Sequence, residues 1–194
     1  FGLPLYFIFI FILLLFFFCF SFSGYIGAIT SCLFVGLAPI FIPRSCAGWF
    51  DKDILNLLFP FLVVWCYLLA IINQNFFKKI IYLLLSSFWL GIFCFNWTHW
   101  WFIFFIIIFY KIFMLSFYTI RYFYKKDDFT EIKNHLFCLF IFVILSILWI
   151  VIFCSTAPLI KLIQQLKLAV ILNIPLMGSI WPNVYSTVGE LRPV

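Results

Sequence analysis

Apolar residues run along this chain in long blocks separated by short polar stretches. Residues 1–43 carry no charge at all, and a helix needs about 20 apolar residues to cross a bilayer. Two passes fit there, near 3–22 and 25–42, with "SFSG" at 21–24 as the turn and Pro43 and Arg44 closing the second. The short loop "PRSCAGWFDKD" leads to a third span near 54–72, and "NQNFFKK" separates it from a shorter fourth near 80–95. "NWTH" makes a tight polar turn into a fifth span near 97–120. The longest polar segment, "RYFYKKDDFTEIKNH" at 121–135, precedes a sixth near 136–154. The pattern predicts an all-α, polytopic transmembrane fold of five or six spans.

Past residue 154 the pattern changes. In "PLIKLIQQLKLAVIL" (158–172), Lys161, Gln164, Gln165 and Lys167 share one side of a helix, and Leu159, Leu162, Ile163, Leu166 and Ala169 the other. That arrangement predicts an amphipathic helix lying in the membrane interface or docked on a neighbour. The remainder, with Pro175, Pro182 and Pro193, reads as irregular chain. The organisation expected is a transmembrane domain over 1–154 and an interfacial tail over 155–194, with no internal repeat.

Composition closes off the water-soluble classes. The residues AVILMFWYC make up 68% and DEKR 9%, against about 45–50% and about 25% in ordinary soluble domains. The net charge of +6 comes from loop lysines and arginines, so nucleic acid is not an expected partner. With six spans, one side holds Lys78, Lys79, Arg121, Lys125, Lys126 and Lys133, and the other holds Arg44 and Lys52 plus the tail cations. With the tail discounted, the positive-inside rule turns the 121–135 loop toward the matrix or cytoplasm. The chain begins with Phe1 rather than Met, read as a trimmed start or a non-standard start codon. Residues 1–22 lack the flank and cleavage site of a signal peptide and are taken as a retained span.

Little in the spans carries chemistry. All six acids (Asp51, Asp53, Asp127, Asp128, Glu131, Glu190) fall in loops or the tail, whereas ion-coupled carriers rely on intramembrane carboxylates. Lys111 is the one charge inside a span. It can snorkel toward the Arg121 end, about 15 Å along the helix. It can stay neutral beside Tyr118, or it can pair with a carboxylate on another subunit. An anchor or packing charge is favoured over a proton-path lysine. His99 and His135 stand at opposite faces, so one haem cannot use both. His99 reads instead as an interfacial residue in a belt of Trp97, Trp100 and Trp101. The seven cysteines show no metal-type spacing, and G-x-S-x-G, P-loop and H-E-x-x-H motifs are missing. No cofactor or metal is expected. The Phe-rich spans offer few small residues in register, which predicts bulky rather than small-residue helix packing.

Phe occurs 31 times, more than Gly, Ala, Pro and Arg together. That bias resembles AT-rich, mitochondrially encoded respiratory-chain membrane subunits of protists. "YIGAI" at 25–29, followed by "TSCLFVGLAPI", resembles the third helix of subunit 6 of complex I, where a π-bulge and small residues allow helix rotation. By that resemblance Tyr25, Gly27 and Ala28 would be the matching positions. The alternative is that Gly24, Gly27 and Ala28 simply permit a close hairpin. The resemblance implies a multi-pass subunit of the mitochondrial inner membrane, within complex I, without a redox centre and at most lining a proton path. Its partners would be other membrane subunits and phospholipids. Cytochrome c oxidase and the ATP synthase membrane part are the rival assemblies. A free-standing permease, and a membrane enzyme acting on lipid, are the other classes.

Overall fold

The computed structural model describes residues 3–38, 53–125 and 130–171. Regular structure in them is helical throughout: α1 (Leu3–Gly36), α2 (Asp53–Ile72), α3 (Phe76–Asn96), α4 (Trp101–Lys125), α5 (Thr130–Cys154) and α6 (Ala157–Ile171). The first five are long and apolar enough to cross a membrane. The predicted all-α polytopic fold is what the structure shows. The end of the second expected span, the loop at 44–52, the centre of the polar segment at 126–129 and the proline-containing tail from 172 lie outside the described residues.

α1 is folded on itself. Along a straight helix, residues 12 and 32 would stand about 30 Å apart. Instead the Cys32 thiol lies 3.6 Å from the Ile12 carbonyl oxygen. The chain reverses at Gly24, where φ is 67° and ψ −167°, a region that is essentially glycine's alone. The turn is tight enough that a Cβ on Gly27 would meet the Ser23 Cβ at 2.3 Å. The first arm, 3–23, rises about 30 Å and can cross the hydrocarbon core; the described part of the second, 25–36, rises about 18 Å. Ala28 is buried just past the turn, and Tyr25 is exposed.

α3 is the centre of the bundle, packed along α2 on one side and α5 on the other. It is longer than its apolar run because Asn75 caps it: the side-chain oxygen accepts from the N–H groups of Phe77 and Lys78, so "FFKK" becomes the first turn. The packing uses small residues after all. Ser86 and Ser87 are buried, the Ser86 hydroxyl donates to the Val63 carbonyl of α2 at 2.7 Å, and Gly91 follows Ser87 by one turn. A Cβ on Gly91 would stand 2.9 Å from both the Trp149 Cβ and the Phe153 ring of α5. The expectation of bulky packing fails because bulk lies on the outer faces, while the inner face of α3 is small where neighbours approach most closely.

α4 packs against α5, and α1 against α2 through Phe11, Ile54 and Leu58. At one end of the bundle Asn96 donates to Asn56 at 2.9 Å, tying the end of α3 to the start of α2. α5 ends where Ser155 takes a φ of 60° and its N–H bonds the Val151 carbonyl, a left-handed helix stop. α6 lies in a second unit that begins at Thr156, with Ile160, Ile163 and Leu166 exposed.

Candidate functional site: a buried basic cluster

α5 begins six residues earlier than its apolar run, at Thr130 rather than 136. The consequence decides the fate of Lys111. "NHLFC" becomes helical, and Ile132, His135, Cys138 and Phe142 form the buried face of α5, at the three- and four-residue spacing of one helix side. Lys111, fully buried on α4, reaches this face: its Nζ lies 2.7 Å from His135 Nδ1. Its ammonium also sits over the Tyr67 ring of α2, 5.4 Å from the centroid, within cation–π range. Tyr118, two turns along α4, stacks on the His135 ring at a centroid distance of 4.8 Å.

In so short a nitrogen–nitrogen contact one partner donates and the other accepts: either an ammonium on Lys111 faces a bare Nδ1, or a neutral amine accepts from Nδ1–H. The methylene stem of Lys111 meanwhile covers apolar surface, and its head climbs toward the Tyr118 end of α4.

A second lysine joins from α3. Lys79 is only 8% exposed, and its Nζ donates to Asn134 Oδ1 on α5. Cys138 lies within electrostatic reach of Lys79, Lys111 and Tyr67. Four helices therefore bring two ammonium groups, an imidazole and a phenol to one place, a few residues inside the ends of α2, α3 and α5. The Tyr67 hydroxyl, with the residue 2% exposed, has no hydrogen-bond partner among the described residues.

Of the residues singled out from the sequence, Lys111 and Tyr118 meet here. Lys79, Tyr67, Asn134 and His135 were missed as their companions. The signal was the one-sided row of small and polar residues at 135, 138 and 146 running into the apolar block of α5. The aromatic belt divides. Trp97 ends α3 with extended backbone, its N–H bonding the Phe93 carbonyl at 2.8 Å, and its ring lies 5.3 Å from that of His99. Trp101 opens α4. Trp100, however, is buried against Phe104 and belongs to the core. Tyr25, Gly27 and Ala28 lie at the α1 reversal. Among the described residues no group of His, Cys, Asp or Glu could hold a metal ion.

Comparison with known proteins fixes the family. The profile described as "Oligosaccharyl transferase STT3, N-terminal" matches residues 4–191. A dolichyl-phosphooligosaccharide-protein glycotransferase of Methanococcus voltae is 31% identical over 88 residues, 44% of this chain. The matched stretch is 10% of that relative's length. No solved structure matches. The chain belongs to the STT3 oligosaccharyl transferase family.

This overturns the respiratory reading. The chain is not a subunit of complex I, cytochrome c oxidase or ATP synthase, nor a permease. The mitochondrial inner membrane falls with the assembly that implied it. The physical reason for the error is that a Phe- and Ile-rich composition records codon bias and bilayer residence together and identifies neither compartment nor complex. "YIGAI" at 25–29 is likewise no mark of subunit 6. The respiratory partners expected with that reading fall with it.

Proposed function

We propose that this chain supplies membrane helices to an oligosaccharyl transferase, an enzyme that moves an oligosaccharide from a dolichyl phosphate-type lipid to protein. The match of residues 4–191 to the family carries the reading, and the printed activity of the Methanococcus voltae relative gives the reaction. The bundle suits a lipid-borne donor. Its outer faces are lined with exposed Phe, Ile and Leu from α1, α4 and α5, a surface fit for acyl or isoprenoid chains. Partners would be the other membrane subunits of the transferase, and the setting the endoplasmic reticulum or plasma membrane. Within the chain, the domain over 1–154 would be the membrane part, and the tail over 155–194 an interfacial amphipathic helix with irregular chain after it.

The test is a transfer assay. The full-length protein, purified with its membrane partners in mild detergent, is given lipid-linked oligosaccharide and an acceptor polypeptide, and glycopeptide is followed by mass spectrometry. Transfer that co-purifies with the protein and disappears on its depletion is the expected result. Undiminished transfer in the depleted membranes would overturn the proposal.

A further inference from the structure

The cluster of Lys79, Lys111, Tyr67 and His135 has more donors than acceptors. Each ammonium carries several N–H donors and no acceptor. Against them the described side chains set Asn134 Oδ1 and His135 Nδ1. The Tyr67 hydroxyl, which can donate or accept, is buried with no partner among the described residues. A buried polar group left in that state is costly, more so when charged, so acceptors are what the buried cluster lacks.

The start of α3 agrees in sign. Lys78 and Lys79 stand in its first turn, which holds no acidic residue, whereas the first turn of α5 carries Glu131 as well as Lys133. Cations at a helix N-terminus oppose the helix dipole, and the start of α5 lies alongside, with Phe76 against Phe137 at 5.6 Å between ring centroids. The two lysines of α3 are unfavourable there by themselves and favourable around an anion. Exposed Phe76, Phe77 and Leu136 border it, so the anion's remainder is best apolar.

We infer that the N-terminal ends of α3 and α5 bind the phosphate of a lipid, held by Lys79 and Lys78 and backed by the Lys111–His135 pair. The site rests on the cluster itself and not on the transferase reading. The phosphate could belong to an anionic phospholipid of that leaflet or to a polyprenyl phosphate, since the same ammonium groups would recognise either.

Native mass spectrometry of the full-length protein in detergent tests it, with phosphatidic acid, phosphatidylcholine, dolichyl phosphate and inorganic phosphate as probes. Phosphatidic acid or dolichyl phosphate should be retained several-fold over phosphatidylcholine. A basic residue near an anionic lipid is worth about 1 kcal/mol, so K78Q and K79Q should each weaken retention about fivefold. K79R should restore it. K78Q is the safeguard against misfolding, because Lys78 is exposed. Dolichyl phosphate bound far better than phosphatidic acid would assign the site to a polyprenyl carrier, and equal binding would assign it to lipid phosphate in general. Asp127, Asp128 and Glu131 lie in the same stretch of sequence, and D127N/D128N/E131Q should tighten retention. Equal retention of phosphatidic acid and phosphatidylcholine, displacement by inorganic phosphate alone, or unchanged binding in K78Q and K79Q would overturn the inference. Lipid retention is read without glycan transfer, so either proposal can fail without the other.

Discussion

Replacing the two members of the Lys111–His135 contact should give effects that are unequal and strongly coupled. Lys111→Met deletes the ammonium, losing the His135 bond and the Tyr67 cation–π contact, together about 2–4 kcal/mol. It also removes a charge whose residence in a membrane interior costs about 2.5–3.5 kcal/mol, so the net change should be close to zero. His135→Phe keeps a ring for Tyr118 to stack on but takes away the acceptor. The fully buried ammonium is then stranded, at about 3 kcal/mol. In the double variant the stranded charge is gone, and stability should return nearly to that of Lys111→Met. The cycle should therefore show about 2–3 kcal/mol of coupling. Unfolding the purified protein with SDS and following its 8 tryptophans gives the three free energies directly. Additivity within about 0.5 kcal/mol, the behaviour of residues that do not touch, would refute the contact.

Three further changes probe the scaffold by the same titration. Gly24→Ala meets nothing within 4 Å, so its cost should be the backbone term alone, about 1–3 kcal/mol; an unchanged midpoint would mean that α1 does not reverse there. Gly91→Ala should lose about 1–3 kcal/mol through overpacking against Trp149 and Phe153, and Phe153→Ala in the same chain should recover only part, because the Trp149 Cβ remains. Ser86→Ala should cost only about 0.6 kcal/mol, the usual worth of an interhelical bond in a membrane, and a loss several times larger would show that Val63 depends on it.

What could be read from the sequence was whatever depends on runs of like residues. Five helices follow from apolar blocks of sufficient length, and the α1 reversal from "SFSG" between two of them. What depends on helix starts was not legible from hydropathy. "TEIKNH" and "FFKK" are polar or mixed and look like loop, yet both are first turns, one of them held by the Asn75 cap. Polar residues can open a helix because its first N–H groups need partners and remain near water. That shift of about a turn and a half carries His135 from a loop into the bundle, where it meets Lys111 from 24 residues away. The family was illegible for another reason: membership is carried by a pattern spread over residues 4–191, and no local motif within it has a chemistry of its own.

The contacts of Lys111 lie at one end of the bundle. A proton path needs groups that exchange protons from one face to the other. On the buried side of α4, the residues beyond Lys111 are Ile107, Phe104 and Trp100, a stretch of about 16 Å along the helix. Among the described residues the polar groups toward the other end include the buried Ser146 of α5 and the Asn56–Asn96 pair, whose amides bond each other and neither take up nor release protons. Ser86 and Ser87 between the two ends are engaged with the Val63 and Leu84 carbonyls. The charge of Lys111 is therefore local to one end. Its head points to α5 and His135, and its neighbour Lys79 is a second basic group. Two basic groups brought together under a pair of helix N-termini make physical sense when something negative completes them.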